Sequence, residues 1–489
     1  MPSPQNIVRI PSLKTVEAFG EHIRNLGIDL RFEDKIATGA DSAVTRPIPF
    51  HDRVIGNRWT VQPMEGWDGT PTGGITPTVI RRWQRFGQSG AKLIWGGEAM
   101  AVRPDGRANP NQLILNQENK GGLAHLREAL VAAHREKFGR TDDLLIGFQL
   151  THSGRYCKPR DKFKMEPRVA YRHPLLDRKF HVTSDAQMFT DDELKRLVED
   201  YVAAAKIAED AGADFVDIKH CHGYLLHEFL SAHTRPGPYG GSFENRTRLL
   251  REIAAGIRAT SPRLEMGVRL SAFDLIPFKP DPAQATPGKL GPGVPEDFST
   301  LLPYRYAFGV NQNNPVEYDL AETIRFLRLL EELGILLVNL TAGSPYYVPH
   351  IQRPAIYPPS DGYQPPEDPL VGVARQINVV KELKAAFPRL ILVGTAYSYL
   401  QEYLPHVAEY YVRHEHVDSV GLGRVMLSYP ALPADATARG KLDPRLICRT
   451  FSDCTTAPRN GLRSGCYPLD DFYKNLEDAA QLKTAKKSA

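Results

Sequence analysis

A (β/α)8 TIM barrel is the fold class that this sequence predicts, and two observations predict it. Short apolar runs alternate with longer segments whose apolar residues repeat at helical spacing. Polar residues able to do chemistry cluster directly after the runs, on the face where a parallel barrel places its site. The eight runs, in order, are Trp59–Met64, Lys92–Gly96, Leu144–Leu150, Phe215–Ile218, Met266–Leu270, Leu336–Leu340, Leu390–Val393 and Ser419–Leu422. Among the helices, 191–211 is the clearest. Leu194, Leu197, Val198, Tyr201, Ala205 and Ala208 make one face, Thr190 with Glu193 forms a capping box, and Gly212 ends the helix. Segments 316–333 and 371–387 carry similar stripes. A doubly wound sheet would need a reversal of strand order, which the pattern leaves open.

The barrel is expected over residues 46–435, with an extension at 1–45 and a tail at 436–489. The chain is 489 residues long with 42% hydrophobic and 24% charged residues, enough apolar material for a large core. Its net charge of +4 is too small for its size to point to nucleic acid or a membrane surface. No apolar run is long enough to span a bilayer, and the first residues lack the pattern of a signal peptide. Five cysteines do not make a disulfide framework, so a cytoplasmic, reducing setting is expected. A small-molecule substrate is the expected partner.

Three insertions follow strands and would lie over the site. Residues 153–189 hold nine Lys or Arg against four Asp or Glu, residues 273–314 are proline-rich, and residues 343–369 combine prolines with Tyr346, Tyr347, Tyr357 and Tyr363. Such loops either cover a site, stay solvated or pack at a subunit interface, which leaves a homo-oligomer open.

The fourth run ends at Ile218, and Lys219, His220, His222 and Tyr224 follow within six residues, all able to donate a hydrogen bond or a proton. Strand alternation turns His220 and Cys221 away from the site and gives them a packing role. Late in the chain, Gly394 and the string Gly421-Leu-Gly423-Arg424 suit an anion, because glycine lets backbone N–H groups approach and Arg424 adds a charged donor.

The strings His222-Gly-Tyr224-Leu-Leu-His-Glu-Phe-Leu-Ser231 and Tyr239-Gly-Gly-Ser-Phe-Glu-Asn-Arg246, the latter preceded by Arg235, resemble the old yellow enzyme family of FMN-dependent reductases. So do Gln62-Pro63-Met64, Glu98-Ala99, Gln149-Leu-Thr-His152-Ser-Gly-Arg155 and Arg269 in Val-Arg-Leu-Ser. The resemblance covers about residues 48–435. It implies FMN as cofactor and NAD(P)H as electron donor. It places Pro63, Met64, Glu65 and Ala99 beside the flavin, Gln149 and Arg269 on its pyrimidine edge, and Gly394, Gly423 and Arg424 at its phosphate. It further implies reduction of an activated C=C bond, with His222 and Lys219 binding the substrate oxygen and Tyr224 giving the proton. The catalytic residues expected are therefore Tyr224, His222 and Lys219.

Two positions depart from the family's pattern. Members usually carry His or Asn where Lys219 stands, and a lysine suits a carboxylate or a full oxyanion better. Glu65 replaces a Thr or Cys, and a Glu65–Lys219 ion pair is expected to neutralise it; the simpler alternative has Lys219 neutralising Asp217 or Glu98. The tail spacing Cys448-x5-Cys454-x11-Cys466 resembles a degraded form of the iron–sulfur segment of trimethylamine dehydrogenase and 2,4-dienoyl-CoA reductase. With the fourth cysteine lacking near Thr450–Phe451, a cluster would be one ligand short, so free thiols and no metal are expected. Two further readings stay open: oxidative dehydrogenation or demethylation of an amine, and a flavin-binding barrel that has lost its chemistry.

Overall fold

The computed structural model describes residues 7–286 and 290–487, and its centre is a closed parallel barrel. The barrel strands are β1 (Trp59–Val61), β2 (Leu93–Ile94, continued by Ala99–Ala101), β3 (Leu145–Thr151), β4 (Phe215–Ile218), β5 (Glu265–Ser271), β6 (Leu337–Thr341), β7 (Ile391–Gly394) and β8 (Ser419–Leu422). Each pairs in parallel with the next, and β8 returns to β1 with Val420 opposite Trp59. The eight expected strands are all present, and the doubly wound alternative falls because the sheet closes.

The second strand is broken, which the sequence reading did not foresee. Gly96 and Gly97, at φ 93° and 56°, turn the chain between the two pieces, both of which pair with β3. A Cβ on Gly96 would lie 2.8 Å from the Gln149 nitrogen, and one on Gly97 would lie 2.8 Å from the Trp83 ring, so glycine is required at both.

The barrel helices are α1 (Pro77–Gly87), α2 (Lys120–Phe138), α3 (Asp191–Asp210), α4 (Arg248–Thr260), α5 (Ala321–Glu332), α6 (Pro369–Ala386), α7 (Leu404–Arg413) and α8 (Leu432–Arg439). The capping box of α3 forms, with the Glu193 N–H donating to Thr190 Oγ1 and the Thr190 N–H donating to Glu193 Oε2 at 2.8 Å. Helix α5 begins five residues later than its apolar stripe suggested. The chain instead turns at Pro315–Val316 and Tyr318 bridges Val310, and Asp319 Oδ1 accepts the Ala321 N–H at 2.8 Å.

A hairpin of Ile48–Phe50 with Arg53–Ile55 plugs the amino-terminal end of the barrel. Ile48, Phe50 and Ile55 pack there against Trp95, Leu145 and Phe215, so the opposite end alone is free to form a site. Ahead of it, helix Val16–Leu26 lays Phe19 flat on Tyr403, ring centroids 4.1 Å apart. The tail folds back across the mouth: Arg81 grips Asp470 with two bonds of 2.9 Å, and Arg82 donates to the Ser464 carbonyl at 2.9 Å. Among the described residues, no helix is long and apolar enough to cross a membrane.

Candidate active site

The carboxyl ends of the strands open on a cavity of about 340 Å³, within the roughly 300–1,000 Å³ of small-molecule sites. Pro63, Met64, Glu65, Ala99, Gln149, Lys219, His222, Tyr224, Arg269, Gly423 and Arg424 all line it. Gly394 does not; it stays in the β7–β8 ladder opposite Val420, and Thr395 and Ala396 line the cavity in its place.

The floor is built on Asp217, a carboxylate with no exposed surface. It accepts from Gln149 Nε2 at 2.5 Å, Trp95 Nε1 at 2.8 Å and the Arg269 N–H at 2.6 Å. Burial still raises its pKa despite these donors. The arrangement fixes the Gln149 side chain and the Arg269 backbone. The Arg269 guanidinium donates to the Pro63 carbonyl at 3.1 Å and leaves its Nε buried without a partner. Glu98 is held by Arg82, which also binds Asp68. Lys219 therefore neutralises neither acid by direct contact.

After β4 the chain turns sharply. His222 sits at φ 64°, a left-handed conformation, and its N–H donates to Ser271 Oγ at 2.9 Å. Its Nε2 faces Gln352 at 3.1 Å and Thr341 at 3.5 Å. Burial, together with Arg269, Lys219 and His227, holds this imidazole well below its usual range, so it is neutral. His220 does turn away, its Nδ1 meeting the Ile218 carbonyl at 2.7 Å and its ring lying against Phe326. Cys221 is fully buried and is not among the residues lining the cavity; burial pushes its thiol up to about 11, against the opposing pull of Arg269 and Lys219.

The expected Glu65–Lys219 ion pair does not form. Glu65 Oε2 instead accepts the Tyr224 hydroxyl, and Asn109 Nδ2 donates to Glu65 Oε1 at 3.4 Å. The Lys219 ammonium stands 3.5 Å above the centre of the Tyr224 ring, and none of the described side chains accepts a hydrogen bond from it. Burial lowers its pKa, while Cys221 and Glu65 pull the other way. Tyr346 reaches the Tyr224 oxygen at 2.9 Å, and burial, then Glu65 and Tyr346, push the Tyr224 phenol well above its ordinary range.

The insertions supply the walls. Tyr156 stacks on Tyr346 at 3.9 Å, and Lys158, Lys179 and Arg459 join them around the opening. Arg235 secures the 153–189 loop by donating to the carbonyls of Ala170 at 2.8 Å and Phe189 at 2.7 Å. At the far end stand Gly423, Arg424, Ser398 and Arg353. Arg353, which the sequence reading missed, is held by Thr455, and burial with Arg424 nearby lowers its pKa to about 9. Tail residues Cys454, Thr455 and Arg459 also line the cavity, equally unforeseen. Cys448, Cys454 and Cys466 meet at a separate void of about 20 Å³ beside Arg424. There the Thr450 N–H reaches Cys448 Sγ at 3.4 Å.

The profile of the NADH:flavin oxidoreductase / NADH oxidase family matches residues 44–286, just under half of the chain. It is 31% identical to an NADPH dehydrogenase of Bacillus subtilis (strain 168), over 47% of this chain and 63% of that protein, so the match spans less than two thirds of that relative. It is 27% identical to an NADPH dehydrogenase of Halalkalibacterium halodurans, over 81% of this chain and 92% of that protein. Among solved structures, the old yellow enzyme homologue from Zymomonas mobilis shares the fold with TM-score 0.53 and 21% identity, covering 80% of this chain and 91% of that one. A 2-naphthoyl-CoA reductase shares it with TM-score 0.65 and 18% identity, covering 88% and 57%.

FMN is the cofactor of this family, and the cavity fits it. Arg269 Nε and Arg424 Nη1 are buried donors without partners among the described residues, one on the floor and one at the far end. A Cβ on Gly423 would meet nothing nearer than 3.8 Å, which leaves its backbone open to an anion, whereas one on Gly421 would strike Gln62 at 1.8 Å. Gln149 and Arg269 would take the polar ring edge, and Gly423, Arg424 and Arg353 the phosphate.

Proposed function

We propose that this protein is an NAD(P)H-driven, FMN-dependent oxidoreductase that reduces an activated C=C bond in a substrate carrying a carboxylate. The observation that carries this reading is Lys219, a buried cation facing the cavity with no hydrogen-bond acceptor among the described residues. A desolvated ammonium is costly unless an anion completes it, and a substrate carboxylate, or the enolate oxygen that forms during reduction, would do so. When bound, FMN would supply two-electron hydride chemistry, with Gln149 and Arg269 holding its ring edge and Gly423, Arg424 and Arg353 its phosphate. His222, neutral, orients the substrate by hydrogen bonding, while Lys219 stabilises developing negative charge. Tyr224 holds a proton at Oη for the α-carbon. Lys158, Lys179 and Arg459 at the opening draw an anion inward.

The amine dehydrogenase reading loses ground for a physical reason. Lys219 stands over the Tyr224 ring and lines the cavity, and its charge would repel a substrate ammonium there. The test is anaerobic titration of the flavin absorbance with NADH, then NADPH, followed by alkenes. Bleaching by a nicotinamide is expected, with faster recovery by an α,β-unsaturated carboxylate than by the neutral ketone of the same skeleton. A flavin that no nicotinamide reduces, or one reduced by amines, would overturn the reading.

A further inference from the structure

The Tyr224 hydroxyl has one proton and two close neighbours. It donates to Glu65 Oε2, and Tyr346 Oη lies 2.9 Å away. With Glu65 as a carboxylate, the proton is committed to Glu65, and Tyr346 donates to the phenol oxygen. Giving that proton to a substrate would leave a phenolate touching a carboxylate, two like charges in a buried site. With Glu65 as the acid, the order reverses. Glu65 then donates to the phenol oxygen, and the phenol proton is free to face the cavity.

We propose that Glu65 is the relay partner of Tyr224, delivering to it the proton that Tyr224 gives to the substrate. The inference rests on the reductase reading above. The alkene gains two electrons with the hydride from the reduced cofactor, which is thereby oxidised, and it gains one proton from Tyr224 Oη. As the phenol O–H bond breaks, the Glu65 O–H bond breaks too, and its proton closes a new phenol. Tyr224 ends neutral and Glu65 ends as a carboxylate, which recovers a proton from water because Glu65 is only half-buried. Lys219, 3.5 Å over the ring, favours negative charge on the phenol during the exchange.

The groups facing Glu65 come from four places: Asn109 after β2, Lys158 after β3, Lys219 and Tyr224 after β4, and Tyr346 after β6. Two of them are cations and none is an acid. Glu65 touches no reacting atom in this scheme and acts through Tyr224 as a positioning and relay residue.

The test uses FMN-loaded protein labelled with 3-fluorotyrosine. The fluorine resonance of position 224 is the one that disappears in Tyr224→Phe. It is expected to shift with pH through a single ionisation, and Glu65→Gln should abolish that shift. Glutamine keeps a hydrogen bond but carries no transferable proton. Reoxidation of the reduced flavin by the alkene should fall with rising pH through the same ionisation, and by about 10²-fold in Glu65→Gln. Reduction by the nicotinamide, followed in the same variant, measures any change in the flavin itself and is divided out of the reoxidation rate. A resonance that does not titrate, or titrates identically in Glu65→Gln, overturns the relay, as does wild-type reoxidation in that variant. If Glu65→Gln fails to fold, the wild-type titration alone decides, since a resonance insensitive to pH removes the coupling. A flavin that no nicotinamide bleaches would sink the reductase reading instead, and the fluorine readout does not depend on it.

Discussion

The barrel contains two buried lysine–histidine pairs, one near each end, and they are built in opposite ways. Lys92 donates to Asp143 at 2.7 Å, to His134 Nε2 at 3.0 Å and to the Arg140 carbonyl at 3.4 Å. His134 Nδ1 meets the Gly87 carbonyl at 2.8 Å, so every polar atom of that group has a partner. Lys219, also buried, has an aromatic face and no acceptor among the described residues, and His222 beside it is held in a left-handed turn. The first pair fastens the ends of β2 and β3. The second holds charge ready for something the protein does not itself supply. A buried polar group whose partners are complete is structure, and one whose partners are lacking is a site.

Acid should break both pairs, with the largest effect. Burial pushes His134 down to about 4, with Lys92 adding to it, and pushes His220 to about 4 and His152, His227 and His350 to about 3. The unfolded chain titrates near the ordinary value of about 6.5, so below that it binds more protons than the folded chain. Stability is therefore full above pH 6.5 and is lost as pH falls towards 4 and 3, at about 1.4 kcal/mol per pH unit for each such histidine. Urea midpoints at pH 8, 6.5 and 5 should fall steeply over the last interval. A midpoint unchanged at pH 5 would mean the histidines fold charged, and the comparison would collapse.

Lys92→Met comes next. It strands Asp143 without its cation, and stability should fall by about 3–5 kcal/mol, as when one partner of a buried ion pair is removed. Any enzyme that folds should keep its KM, because Lys92 lies at the far end from the cavity. Lys219→Met should do the reverse. The urea midpoint and bound FMN should stay, since no protein hydrogen bond is lost, while kcat/KM for a carboxylate-bearing alkene drops by about 10²–10³. Loss of stability without loss of rate would make Lys219 structural and reduce the two pairs to one kind.

The strands were legible because those of a parallel barrel are buried on both faces and read as unbroken apolar runs. The break in β2 was not, since Gly96 and Gly97 act through the approach of Gln149 and Trp83, distant in sequence. Motif residues such as Gln149, Arg269 and Tyr224 could be placed because each sits at or just beyond a strand end. The partner of Glu65 could not. Opposite charges at the ends of the first and fourth strands suggested Lys219, but Tyr346 and Asn109 arrive on loops without periodicity and settle the geometry around Tyr224 instead. Arg353 and Gln352 share that origin: a lone Gln-Arg in a proline-rich insertion carries no pattern that separates a ligand from a solvated side chain.

The smallest effect sharpens the comparison by separating stability from turnover in an element that belongs to neither pair. Thr190 Oγ1 accepts the Glu193 N–H at the start of α3. Thr190→Ala removes that acceptor and should lower stability by about 0.5–1 kcal/mol, the low end for a lost cap. The low end is expected because the other half of the box survives: the Thr190 N–H still donates to Glu193 Oε2 at 2.8 Å. Arg168 also keeps Glu193 in place from the 153–189 loop, at 2.7 Å, so the wall of the cavity should not shift. Urea unfolding and kcat/KM measured on one preparation would check this. A small loss of midpoint at constant kcat/KM marks what a structural change alone does to this barrel. If Thr190→Ala also lowered turnover, the loop would be coupled to α3, and the Lys92 and Lys219 variants could no longer be sorted by stability against rate.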